Sequence, residues 1–244
     1  MASNGAPVCL VDEDALVGER LSVRLADGDA AALREELAWR SGVYGLLARL
    51  FEREVDEELL ASLRSEGFLA DALARDEAES SEAGLRDALA VDFARLFIVR
   101  SRGTKHAAYP FESVYSPARR TMGDARDDVV ACYRAAGLGK SDGWRVSEDH
   151  IALELDFMRV LGERAIEALA TGDADGAADA LKRQRDFLER HLLAWVPAFA
   201  EEMGRQAHTS FYRELAGGTV AFLKEDQGRL ALLAREIESP GFDC

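Results

Sequence analysis

What most constrains this chain is a helical repeat of apolar residues that runs, with few interruptions, from about residue 30 to about residue 238. Leu33, Leu37, Tyr44, Leu47 and Phe51 recur three or four positions apart, and Arg40 falls on the same row. Val55, Leu59, Leu60 and Leu63 give a second, short helix, and Leu85, Leu89, Phe93, Leu96 and Phe97 another. Val129, Val130 and Tyr133 follow Met122 in a helix ended by Gly137. Leu181, Leu188, Leu192, Trp195 and Phe199 carry one face, with Pro197 expected to kink that helix or start a new one. Phe211, Leu215, Phe222 and Leu223 mark a helix weakened at Gly217-Gly218, and Leu230, Leu233 and Ile237 mark the last. A period of 3.6 places such residues on one helical face, whereas a half-buried strand needs strict alternation, and no β-branched alternating run occurs. The expected fold is therefore all-α, a single globular domain of roughly eight to ten helices over residues 29–244, behind a loosely ordered arm of residues 1–28.

Two stretches break the pattern. Asp76–Glu82 is acidic and polar, which predicts a solvated connection or a frayed helix end. Ser101–Ser116 (SRGTKHAAYPFESVYS) predicts a long structured loop, because Pro110 disfavours helix just before it and Tyr109, Phe111 and Tyr115 alternate with small or polar residues. Ser116-Pro117 then reads as a helix start, and Thr171–Gly176 as a turn between helices. Arg40 on an apolar row is expected to be a snorkelling or paired residue at the core edge, with a role in a site as the alternative.

The densest group of polar residues beside apolar ones is 144–158. Ser147 reads as an N-cap, Glu148 and Asp149 place carboxylates where the helix dipole favours them, and Ile151, Leu155, Met158, Leu161, Ala165, Ile166 and Leu169 form the buried stripe. His150, Glu154 and Phe157 share an adjoining row.

Several chemistries are excluded. Glu-x-x-His pairs and His-Glu-x-x-His are absent, and Cys9, Cys132 and Cys244 are too scattered for a disulfide framework or a metal knuckle, so no metal or other cofactor is expected. Gly139-Lys140-Ser141 is not a phosphate-binding loop, since the position that needs its first glycine holds Arg134. No G-x-S-x-G accompanies a nucleophile, so no enzyme is expected. A net charge of −15 opposes nucleic acid and anionic membrane and would steer a cationic partner inward. No apolar run reaches bilayer length and Met1–Asp14 lack the pattern of a secretory signal, so a cytoplasmic protein is expected.

The run from Ser147 to Met158 resembles the signature of the TorD/DmsD/NarJ-type redox-enzyme maturation chaperones, in which an Asp-His pair opens a helix continuing as x-x-x-Glu-Leu-x-Phe-Met. Arg40 with Tyr44, Leu47 and Phe51, then Phe93, Leu96 and Phe97, resemble that family's early helices. Tyr109, Ser113 and Tyr115 resemble its Tyr-x-x-x-Ser-x-Tyr loop, and His191, Trp195, Pro197 and Phe199 its His-Leu-x-x-Trp-x-Pro-x-Phe helix. Phe211-Tyr212 resembles the final motif, so the likeness covers residues 30–225; Ser147 stands where members often carry proline. The resemblance implies a cytoplasmic chaperone for a molybdopterin oxidoreductase of the dimethyl sulfoxide reductase type, binding its apo form or twin-arginine leader, as a monomer or helix-exchanged dimer. Leader recognition would take charges from Glu112, Asp149 and Glu154 and an apolar groove from Tyr109, Phe111, Tyr115, Trp144 and Phe157, with Ser113 and His150 alongside. Core packing is the competing role for each aromatic. A nucleotide-binding regulator and a helical scaffold without a dedicated client are the alternative functions.

Overall fold

The computed structural model describes residues 30–80, 84–98, 108–116 and 124–237. The arm over 1–28, the loop's first part (Ser101–Ala107), the Pro117 helix start and Met122 lie outside the described residues. The helices are α1 (Ala30–Glu52), α2 (Glu57–Ser65), α3 (Ala70–Glu79), α4 (Gly84–Phe93) with a π-helical turn Ala94–Ile98, and the single turn α5 (Glu112–Tyr115). They continue as α6 (Asp124–Ala135), α7 (Ile151–Ala170), α8 (Ala174–Phe187) with a π-helical turn Leu188–Leu192, α9 (Leu193–Gln206) and α10 (Ser210–Ile237). Among the described residues no strand occurs, only an isolated bridge between Phe111 and His150. The all-α expectation is met.

α7 is the central element, because its stripe of Ile151, Leu155, Met158, Leu161 and Ala165 is fully buried between α1 on one side and α8 on the other. The α1–α7 approach depends on Gly162, where an added Cβ would fall 2.3 Å from Ser41 Oγ and 3.2 Å from Gln184 Nε2. α10 packs along α9 and α8. Trp195, Phe199, Phe51, Phe97 and Tyr212 form a chain of ring contacts 5.5–6.2 Å apart that binds the halves of the bundle together.

Arg40 is in the core rather than at its edge. It is 0% exposed and donates through Nε to Asp226 Oδ1 at 2.5 Å and through Nη2 to Oδ2 at 2.9 Å, while Gln184 Oε1 accepts from both Nη atoms at 3.2 Å. Tyr44 donates to the same Asp226 at 2.7 Å, and Gln184 donates onward to the Met158 carbonyl at 2.6 Å. This network joins α1, α7, α8 and α10 at their common centre. Burial opposes the Arg40 charge, but the Asp226 carboxylate outweighs it and raises the pKa above the ordinary value.

Three expectations are corrected. Asp76 is buried inside α3 and its carboxylate accepts from the Ser210 and Phe211 N–H groups at 2.7 and 2.8 Å, so this one residue of the supposed solvated stretch caps the start of α10 from a distance, while residues 77–79 are exposed at the helix end as expected and 81–82 lie outside the described residues. Gly217-Gly218 does not interrupt α10, which runs unbroken for 28 residues because its Phe211, Leu215, Leu223 and Leu230 remain buried on one face. Ser147 does not cap α7. The cap is His150, whose Nδ1 accepts from the Ala152 N–H at 3.1 Å, and Glu148 and Asp149 precede the helix in a turn. Pro197 lies within α9 one turn beyond the π-helical stretch, where ordinary helical bonding has already been relaxed.

Candidate functional site

The seam between α5 and the turn before α7 is built from backbone bonds. Glu112 N–H donates to the Asp149 carbonyl at 3.0 Å and Ile151 N–H to the Pro110 carbonyl at 3.0 Å. Asp149 completes the clasp, its Oδ2 accepting from Ser113 N–H at 3.1 Å and its Oδ1 from the Ser147 hydroxyl at 2.5 Å. The His150 ring lies edge-on to Phe111 at 5.0 Å. Burial pushes the His150 imidazole down to about 4 against the opposing pull of Asp149, so at neutral pH it is uncharged, as an Nδ1 acceptor must be.

Behind this seam lies a line of buried polar groups. Glu154 is 0% exposed; its Oε2 accepts from Trp195 Nε1–H at 3.0 Å, and no donor reaches Oε1. Burial, then the neighbouring Glu112 charge, drive the Glu154 pKa well above the carboxylate range, so Glu154 keeps its proton. Glu112 meets His191 Nδ1 at 3.0 and 3.2 Å through its two oxygens, and His191 Nε2 lies 3.5 Å from Cys132 Sγ. Burial alone would depress the His191 imidazole, but its bonds to Cys132 and Glu112 outweigh that and hold the pKa at about 9. His191 is therefore an imidazolium at neutral pH, stacked on Phe187 at 4.6 Å.

Glu112, His191 and Cys132 form part of the wall of an open groove of about 850 Å³ between α5, α6 and the start of α9. Tyr115 stacks on Trp195 at 5.6 Å to make its aromatic floor. The exposed Asp124 and Asp128 line it, as do Ala131 and Ala194.

The sequence-designated residues divide accordingly. Glu112 and Tyr115 face the groove. Ser113, Asp149, His150 and Glu154 are buried in the seam at 1%, 0%, 5% and 0% exposure, so as the protein stands Asp149 and Glu154 present no charge to a partner. Phe157 is core, between Tyr133 at 4.7 Å and Phe187 at 4.8 Å. Trp144 is half-buried against the core away from the groove, and Tyr109 and Phe111 are half-buried beside the seam. Cys132, Asp124, Asp128 and Arg190 were not designated. The signal for Cys132 and His191 was weak, because their partnership spans 59 positions and has no local spacing.

Residues 50–201 match the family model described as nitrate reductase delta subunit. Over 213 residues the chain is 31% identical to the chaperone protein TorD of Vibrio cholerae (strain O395), covering 81% of this chain and 94% of that protein. The chain belongs to the nitrate reductase delta subunit family. Two further similar proteins are the TorD chaperones of Vibrio parahaemolyticus, 26% identical with 78% of this chain and 94% of that protein covered, and Vibrio atlanticus, 27% identical with 83% and 98% covered. The family is thus one of chaperones rather than enzymes, in line with the sequence resemblance. No helix among the described residues is long and apolar enough to cross a membrane, and no three or more of their His, Cys, Asp and Glu side chains are placed so that they could hold a metal ion.

Proposed function

We propose that this protein is a cytoplasmic, system-specific chaperone that holds the apo form of a molybdopterin oxidoreductase, of the dimethyl sulfoxide reductase type, by its twin-arginine leader until the cofactor is inserted. The observation that carries this is the groove, which the stacked Tyr115 and Trp195 line together with the exposed carboxylates of Asp124 and Asp128. A leader consists of an arginine pair followed by an apolar stretch, so it requires acidic groups beside an apolar trough in that arrangement. The net charge of −15 steers a cationic segment toward it. Binding a leader before export places the encounter in the cytoplasm, and one groove per chain suffices whether the protein acts as a monomer or as a helix-exchanged dimer.

Within this proposal Asp149, His150, Ser113 and Glu154 hold the α5 loop in place and do not touch the client, whereas Glu112 and Tyr115 do. A nucleotide-binding regulator is not favoured, because Asp124 and Asp128 would repel phosphate and the similar proteins are chaperones. A scaffold without a client leaves the open aromatic floor without a purpose.

Titration of a synthetic twin-arginine leader into the protein tests the assignment. Asp124→Lys/Asp128→Lys, at exposed positions, is expected to weaken binding by roughly tenfold, and Ala194→Trp to block it, with both variants melting normally. Wild-type affinity in both variants would remove the groove from client recognition.

A further inference from the structure

The groove wall contains a Cys132–His191 pair that leader binding does not require, joined to the client-facing carboxylate of Glu112. Cys132 comes from α6, His191 from the π-helical turn before α9 and Glu112 from α5. The links are 3.5 Å from Sγ to Nε2 and 3.0 Å from Nδ1 to the nearer Glu112 oxygen. A buried cysteine is usually an inert small apolar residue, but Cys132 is half-exposed on the wall of an open groove with an imidazole nitrogen directed at its sulfur. Each partner is fixed by a second contact. Glu112 is held through its backbone N–H to Asp149, and His191 by stacking on Phe187.

We propose that Cys132, His191 and Glu112 form a reactive-thiol site, at which the Cys132 thiolate is oxidised to a sulfenic acid by a hydroperoxide. An imidazolium held between Glu112 and Cys132 donates to the sulfur and stabilises its anion, as required for a nucleophilic thiol. Sγ attacks one peroxide oxygen and forms the S–O bond while the O–O bond breaks. The departing hydroxide, or alkoxide from an organic hydroperoxide, takes the proton from His191 Nε2 and leaves as water or alcohol, so sulfur loses two electrons, the peroxide gains them, and His191 becomes neutral. Asp124, Asp128 and Glu112 make the approach acidic, with Arg190 and the His191 imidazolium as cations lining it. A small neutral hydroperoxide enters more readily than an anionic oxidant such as a glutathione disulfide. The site does not depend on the leader assignment, since its chemistry is read on the chain alone.

The test is a pulse of hydrogen peroxide at pH 7 on the full chain, trapping with dimedone, and peptide-resolved mass spectrometry, which separates Cys132 from Cys9 and Cys244. A free thiol of pKa about 8.5 is only about 3% ionised at pH 7, so a site that presents the thiolate, discounted for the lower nucleophilicity of a more acidic thiol, predicts labelling at Cys132 about twofold faster than for N-acetylcysteine. His191→Asn is expected to remove that advantage. The wild-type pH profile of iodoacetamide alkylation at Cys132 needs no variant and is expected to stay flat below pH 7. A Cys132 that labels no faster than N-acetylcysteine, or a profile that falls away around 8.5 as for a free thiol, overturns the proposal.

Discussion

Removing the acid that holds Arg40 should cost more than any surface change in this protein. Arg40 and Asp226 are both 0% exposed, and the bidentate pair is completed by Tyr44 and Gln184. Asp226→Ala leaves a guanidinium in the core with only the Gln184 oxygen as acceptor, a situation that costs about 3–5 kcal/mol. A domain of this size holds about 5–15 kcal/mol in total, and each kcal/mol shifts the midpoint by about 2–4 °C, so the melt should fall by roughly 6–20 °C. The cost comes from the orphaned charge and not from the loss of attraction, so removing both charges and the Tyr44 hydroxyl, with the Gln184 oxygen the one acceptor left unpaired, should restore most of the stability. Arg40→Met/Tyr44→Phe/Asp226→Leu, which takes out both charges and the hydroxyl that would otherwise lose its acceptor, is expected to recover most of the loss. Urea and thermal unfolding followed by circular dichroism, with the single, double and triple variants as a cycle, would measure both effects. A single variant melting within about 2 °C of wild type, or a triple variant as unstable as the single one, would refute the reasoning. If Asp226→Ala instead melted normally but lost its client, Arg40 would be a binding residue after all.

The remaining expectations concern the seam. His150 has a folded pKa near 4 against about 6.5 unfolded, so its contribution is complete above pH 6.5 and is lost as pH falls toward 4, on the order of 3 kcal/mol in all. His150→Asn keeps an N-cap acceptor without a titrating group, and should flatten the acid limb of a stability-versus-pH curve in that window; an unchanged limb would assign it to other groups. Asp149→Ala should lower stability by about 1–3 kcal/mol by orphaning the buried Ser113 N–H, while Asp149→Asn, which retains an oxygen acceptor, should lose less. An Asp149→Ala protein with a wild-type melt and no leader binding would instead place this carboxylate at the client.

The fold was legible because apolar spacing alone defines which helical faces are buried, and α1, α7 and α10 all carry long stripes. Legibility failed where a residue's partner lies far along the chain. Asp76 reads as a solvent-facing acid until Ser210 and Phe211, 134 and 135 positions away, are seen to donate to it. Ser147 is a better intrinsic cap than His150, but the bridge between Phe111 and His150 fixes the chain there in an extended conformation and delays the helix until Ile151. The site was half legible for the same reason. Glu112, Asp149, His150 and Glu154 read as one cluster, but spacing carries no information on whether a carboxylate faces outward, and three of the four turn inward to accept from Ser113, Ala152 and Trp195.

That inward satisfaction gives the Asp-His motif a role that an exposed binding site could not fill. A loop attached only by apolar packing can slide, because such contacts are non-directional. The α5 loop is instead fixed by the Asp149 clasp, by reciprocal backbone bonds across Pro110, Glu112, Asp149 and Ile151, and by the Glu112–His191 contact. Burying three carboxyls so close together would be prohibitive if all were charged and unpaired. Here Glu154 keeps its proton, Glu112 faces an imidazolium and Asp149 accepts from a backbone N–H, so the cost is met by directional bonds that exist in only one loop position. Tyr115 rides on the last residue of that turn, and its stacking on Trp195, itself bonded to Glu154, forms the groove floor. A change at Asp149 or Glu154 therefore reaches the groove through Ser113 and Trp195, so under the proposed function the motif would act on client binding through the groove's shape rather than by touching the client.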